Sequence, residues 1–244
     1  MKGIDLEMFR NESEKKGKKF PTGLFWTPPE GNSQVRIVPY VHNPGNPFTA
    51  LQIYFKLIPN SNAPVLSPKT YGEKDLIFDF AMECKESKDP KKVELAKKLF
   101  PATKVYAPVI VRGREGEGIK FWSMSKTNYE DLKNLIINGG AGDIADLNNG
   151  RDVLINHTKI HGKSSGTIRV VTHPESSVAT QDKELLEAIK NVPVISEMYE
   201  RQSPERLREL LQEKVKQEFQ REEVKPVQTT PVGNYDLDSL LSNF

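Results

Sequence analysis

A single cysteine, Cys84, is all that the 244 residues contain, and that scarcity excludes several architectures at once. No internal disulfide can form and no cysteine-rich zinc site can be assembled, so neither bridge nor metal is expected to hold the fold. The four histidines, His42, His157, His161 and His173, are scattered. His157 and His161 have the spacing of a helical metal pair, but DVLINHTKI reads as a strand, where four residues separate two side chains by about 13 Å. No stretch approaches the roughly 20 apolar residues of a bilayer span, and MKGIDLEMFRNESEKKGKK lacks the apolar centre of a signal peptide. The expectation is a cytoplasmic protein with no membrane partner.

Catalytic inventory is thin as well. Cys84 lies in FAMECKES, a helix-like setting with no histidine or glycine beside it, which marks a structural thiol rather than a nucleophile. GREGEG and Gly139-Gly140-Ala141-Gly142 lack both the Lys-Ser/Thr ending and the strand–glycine–helix order that cradle phosphate, so they read as turns. The carboxylate pairs Glu115/Glu117 and Glu130/Asp131 sit at a loop tip and a helix start, where acids are favoured structurally. A non-enzymatic protein without a cofactor is expected.

What the chain does have is charge, at 28% of residues, against 36% hydrophobic. Lys and Arg number 35 and Asp and Glu 33, for a net charge of +2. The balance shifts along the chain: residues 21–180 hold 20 basic against 16 acidic side chains, and residues 181–223 hold 8 against 11. A basic body with acidic distal segments suits a polyanion binder whose far end faces other partners.

Four segments follow from composition. Residues 1–20 form a polar arm with Lys15, Lys16, Lys18 and Lys19 around Gly17. Residues 21–180 hold short runs rich in β-branched and aromatic residues, VRIVPY, ALQIYFKL, KVYAPVIV, IKFWSM, DVLINHTKI and TIRVV, which read as the strands of a small barrel or sandwich. Residues 181–223 are helical. Residues 224–234 make a Pro/Thr linker to the acidic-apolar peptide at 235–244. Accessory helices start where capping chemistry puts them: at Asp89-Pro90, at Thr127 with Glu130, and at Ser203-Pro204 ahead of a stripe of Leu207, Leu210, Leu211, Val215 and Phe219. The fold class expected is therefore mainly β with accessory helices, α+β.

The best-defined local unit is the hairpin of residues 104–111 and 119–124, joined by a glycine-punctuated charged loop at 112–118. Alternation turns Val105, Ala107, Val109 and Val111 to one side and Lys104 and Tyr106 to the other, and it sets Lys120 and Trp122 opposite Ile119 and Phe121. The expectation is one apolar face and one face carrying Lys104, Tyr106, Lys120 and Trp122. Aromatic rings interleaved with cations are what single-stranded nucleic acid requires, since bases stack on the rings while cations track the phosphates. Arg36, Tyr54, Lys56, Arg112, Arg114 and Lys126 extend this candidate set. A strand tyrosine is also a common core or rim residue, so clustering carries the reading.

The order of these segments resembles the single-stranded DNA-binding, helix-destabilising proteins of T-even-type phages and their marine relatives. The lysine-rich arm, VRIVPY, PVLSPKTYGEKDLIFDF, VYAPVIVRGREGEGIKFW and the terminal YDLDSLLSNF carry it. The resemblance implies an OB-fold-like barrel core with a small subdomain and a C-terminal helix, and it places Arg36, Tyr106, Lys120 and Trp122 in the strand-binding groove. It also implies cooperative self-association through Lys15, Lys16, Lys18 and Lys19. Replication and recombination proteins would be recruited through Tyr235, Asp236, Leu237, Asp238, Leu240, Leu241 and Phe244, in an infected host cell. One departure is plain: better-known members hold zinc in the segment that corresponds to residues 60–80, and here that segment has neither histidine nor cysteine. A zinc-free subdomain packed by Leu66, Leu76, Ile77 and Phe78 is implied. An RNA-binding translational regulator and a protein-interaction adaptor, working through the last helix and terminal peptide, stay open as alternatives.

Overall fold

A computed structural model describes residues 23–160 and 166–223. Lys15, Lys16, Lys18 and Lys19 of the arm, His161, and Tyr235, Asp236, Leu237, Asp238, Leu240, Leu241 and Phe244 of the terminal peptide lie outside the described residues. Among those described, the strands are β1 (Phe25–Trp26), β2 (Gly31–Ile37), β3 (Thr49–Tyr54), β4 (Val65–Leu66), β5 (Ala102–Val111), β6 (Lys120–Ser125), β7 (Gly150–Lys159) and β8 (Gly166–Ser177). The α-helices are α1 (Leu76–Glu86), α2 (Pro90–Leu99), α3 (Lys126–Ile137), α4 (Lys183–Lys190) and α5 (Pro204–Glu223). The class is α+β. No helix among the described residues is long and apolar enough to cross a membrane.

The described residues divide into two compact units, one built from those up to Leu51 and within Thr103–Met198, the other from Gln52–Ala102 and the described residues from Tyr199 to Glu223. In the first unit six strands follow the order β1-β6-β5-β2-β7-β8. β1 runs parallel to β6, and the remaining neighbours on this path are antiparallel. The path ends at β1 on one side and β8 on the other, so among the described residues the sheet does not close into a barrel. Val35, Ile37, Val105, Ala107, Val109, Trp122, Met124, Val153 and Ile155 form its main core, covered by Leu132 of α3. A second cluster of Val38, Ile110, Ala179 and Ile189 of α4 lies against β5 from the other residue parity. That is why KVYAPVIV has no solvent-facing half: Val105 through Val111 are all buried, the pattern of a strand covered on both faces.

Helix α3 begins two residues earlier than its sequence signal. Ser125, in extended conformation at the end of β6, is the cap, and its hydroxyl accepts a hydrogen bond from the Asn128 amide at 3.1 Å. Thr127, expected to cap, is already helical.

The second unit is organised around Asp75. One carboxylate oxygen caps α1 by accepting from the amides of Ile77 at 3.0 Å and Phe78 at 3.1 Å. The other accepts from the Tyr54 hydroxyl at 2.8 Å and from the Ser67 hydroxyl. A buried carboxylate thus ties the β3–β4 hairpin, in which Ile53 pairs with Leu66 and Tyr54 with Val65, to the helix that follows. Asp89 caps α2 as its sequence predicts. The stripe of α5 buries Leu207, Leu210, Leu211 and Val215 in one cluster with Ile77, Phe80, Ala81 and Cys84 of α1 and Leu95, Ala96 and Leu99 of α2. The docking partner that the sequence left open for α5 is the core of residues 52–102, because a helix with one apolar stripe must bury it. Ile77 packs in this cluster as expected and Leu76 packs against it, together with Phe80; Leu66 is buried on β4 outside the cluster, and Phe78 is half-buried, edge-on to Phe100.

Candidate nucleic-acid interface

Register decides which side of the hairpin each ring occupies. Ala107 pairs with Trp122, Val109 with Lys120, Val105 with Met124, Tyr106 with Ser123 and Lys104 with Ser125. Residues directly opposite one another in an antiparallel pair share a face, so Trp122 and Lys120 belong to the side of Ala107 and Val109, not to that of Lys104 and Tyr106. Trp122 is fully buried, edge-on to Trp26 at 6.2 Å between centroids, and its indole N–H has no hydrogen-bond partner among the described residues. Tyr106 is 4% exposed and meets the Phe25 ring edge-on at 5.9 Å. Neither ring offers a face to a base, which corrects the expected aromatic groove. Tyr54 is likewise a core residue, bonded to Asp75; burial foremost, then the Asp75 charge, raises its hydroxyl far above the ordinary range.

The arginines are similarly engaged. Arg36 has no exposed surface: its Nε meets Asp152 Oδ1 at 2.7 Å and its Nη1 donates to the Ser177 carbonyl at 2.9 Å. Arg112 reaches the same carboxylate with Nε at 2.8 Å and Nη2 at 2.9 Å, and donates to the Ala179 carbonyl at 2.8 Å. The Gln34 amide donates to Asp152 Oδ2 at 2.7 Å. A register shift between Arg151 and Val153 aims Asp152 at these donors, as bulges do. Burial raises the Asp152 pKa, but the Arg112 and Gln34 hydrogen bonds and the neighbouring guanidinium charges outweigh it and hold the carboxyl below the ordinary range. Arg36 is therefore a tie between strands, not a strand-contacting cation, and Arg112 has most of its donors committed.

The remaining cations differ in freedom. Arg114 is exposed and ion-paired with Glu117. Lys120 donates to the Gly23 carbonyl at 2.6 Å and lies 3.4 Å from Glu117, so little of it is presented. Lys104 and Lys126 have no ion pair among the described residues, and the pairing of Lys104 with Ser125 brings them to the same end of the hairpin. In the second unit Lys56 is exposed beside Phe55, which is 44% exposed.

One surface lay outside the sequence-derived set. On β2, β7 and β8 the register aligns Asn32 with Asn156 and Asn156 with Arg169, and Gln34 with Leu154 and Leu154 with Val171. Asn32, Asn156, Thr158, Thr167, Arg169 and Val171 are exposed there, and Arg169 has no ion pair among the described residues. The alternation in TIRVV, with Thr167 and Arg169 out and Val170 in, was the signal that marks it. No group of three or more His, Cys, Asp or Glu among the described residues could hold a metal ion. No protein-family model matches this chain, and no curated protein matches it in sequence.

Proposed function

We propose that this protein binds single-stranded DNA without catalysis and coats exposed strands during phage replication, recombination and repair, in the cytoplasm of an infected host cell. The structural observation that carries the reading is the set of surface cations without a carboxylate partner among the described residues. They include Lys104, Lys126 and Arg169 on the first unit, the last on an open sheet face with Asn32 and Asn156, and Lys56 beside an exposed ring on the second. The collinear resemblance to phage helix-destabilising proteins supports the same reading. Phosphates that contact these cations release condensed counterions, which favours single strands wherever duplex contacts are weaker. With Tyr106 and Trp122 in the core, base stacking passes to Phe55.

An OB-type origin of the sheet belongs to the same proposal; OB folds are partly open five-stranded barrels, and the antiparallel run β5-β2-β7-β8 is compatible with one. So do the cooperative role of Lys15, Lys16, Lys18 and Lys19 and partner recruitment by residues 235–244. The test is a titration of homopolymer DNA and RNA across salt concentrations with wild type and a Lys104→Gln/Lys126→Gln/Arg169→Gln variant. Each lost phosphate contact on a single strand should flatten the log–log slope by about 0.7, so the triple variant should lose about 2 in slope. A flat salt dependence of the wild type overturns the proposal. Equal or tighter RNA binding moves it to an RNA regulator.

A further inference from the structure

Between β3 and β4 the chain passes through Phe55-Lys56-Leu57-Ile58-Pro59-Asn60-Ser61-Asn62. Lys56, at φ 60°, and Asn60, at φ 56°, are the two non-glycine residues with positive φ among those described. Asparagine enters the left-handed region readily; a lysine does so less readily, because its Cβ crowds the backbone. The turn between them is closed by the Ser61 amide bonding to the Ile58 carbonyl at 3.2 Å.

This loop and α5 line a cleft of about 200 Å³. Its polar lining is Lys56, Asn60, Ser61, Asn62, Lys214 and Gln217, and it includes no carboxylate. Lys214 is only 7% exposed. It pairs with Glu218 at 2.8 Å, and the same carboxylate lies 2.8 Å from Lys98, so one acid is shared by two ammonium groups. Lys56 is exposed and has no ion pair among the described residues. Every polar side chain facing the cleft can donate a hydrogen bond: two ammonium groups, three amides and a hydroxyl. Ser61 already accepts from the Ala63 amide at 3.1 Å, which leaves its own hydrogen for a ligand.

A lining in which every polar side chain can donate, with two ammonium groups and no carboxylate, suits a ligand that accepts hydrogen bonds and carries negative charge, and phosphate oxygens do both. Size narrows the choice. The volume is several times the roughly 30 Å³ share of one water and falls below the roughly 300–1,000 Å³ of pockets that enclose whole drug-sized ligands. It suits a phosphate group with part of a sugar, not an enclosed base.

We propose that this cleft is a phosphate-binding site, filled by a phosphate of a nucleic-acid backbone or of a free nucleotide or inorganic phosphate. Lys56 and Lys214 supply the charge, and Asn60, Asn62 and Gln217 orient the oxygens. Its existence does not depend on strand coating.

The side-chain amide resonances of Asn60, Asn62 and Gln217 in the full chain read the site directly. Sodium phosphate should shift them saturably, and sodium chloride at equal ionic strength should not. Lys56→Asn keeps a residue tolerant of positive φ and removes the charge, so it should weaken phosphate about tenfold while leaving the melting temperature equal or higher. Asn62→Asp, nearly isosteric, should abolish the shifts. Absence of saturable shifts, the same response to chloride, or variants that bind phosphate like wild type would overturn the proposal. Thymidine monophosphate and an oligothymidylate are added to identify the source. If the oligomer competes with phosphate for these resonances, the ligand is a strand backbone; if only the monophosphate competes, it is a free phosphate, and either result supports the site. Loss of strand binding at every salt with the phosphate shifts intact would sink the coating reading and leave the cleft standing.

Discussion

A carboxylate within an apolar strand is costly unless cations meet it, and Asp152 is met by two arginines and an amide. Its folded pKa is depressed by those partners, so its contribution to stability is present above the unfolded value near 3.9 and is lost as pH falls through the folded value. Asp152→Asn leaves Arg36 buried without a counter-ion and should cost about 3–5 kcal/mol at neutral pH. The gap between wild type and variant in urea-denaturation midpoint should shrink below about pH 4; a gap that is constant with pH would refute this account. Trp122 illustrates the opposite outcome for a ring expected to stack. Trp122→Ala should cost about 3–5 kcal/mol of stability, read by urea unfolding, with strand affinity of the folded fraction unchanged. Full stability with weakened strand binding would return the ring to the interface.

At the scale of elements, the strand runs, the hairpin at residues 104–124 and the helices at Asp89-Pro90 and Ser203-Pro204 are legible because propensity, capping and turn chemistry are local. Faces were less legible. Alternation predicts which residues of one strand share a side, but the relative register of β5 and β6 fixes which sides coincide, and an offset of one residue moves every side chain across. Lys120 and Trp122 crossed for that reason. The stripe on α5 was readable, but its docking partner was not, since a stripe of Leu and Val specifies burial and not against what. Leu211 is fully buried among the residues of α1 and α2, so Leu211→Ala should cost about 2–5 kcal/mol. A change within about 0.5 kcal/mol, the range of ordinary surface substitutions, would show that α5 does not belong to this core.

For the whole molecule, composition bounds the chemistry: one cysteine and four scattered histidines leave a hydrophobic core and buried ion pairs to hold the chain. Chelator should therefore leave the thermal midpoint and strand binding unchanged, and a chelator-dependent drop in melting temperature would contradict that. The Asp75 cluster is such a metal-independent tie, a cap and two hydroxyls meeting on one carboxylate. By itself the sequence determined the α+β class, most element positions and the absence of disulfides, because these depend on neighbours a few residues apart or on simple inventory. Only the tertiary structure decided that Arg36, Tyr54, Tyr106 and Trp122 are interior, that the sheet is open, and that residues 52–102 share a core with α5. Each of those outcomes depends on pairing between segments tens of residues apart, where burial on a second face or a distant carboxylate overrides what local pattern prescribes.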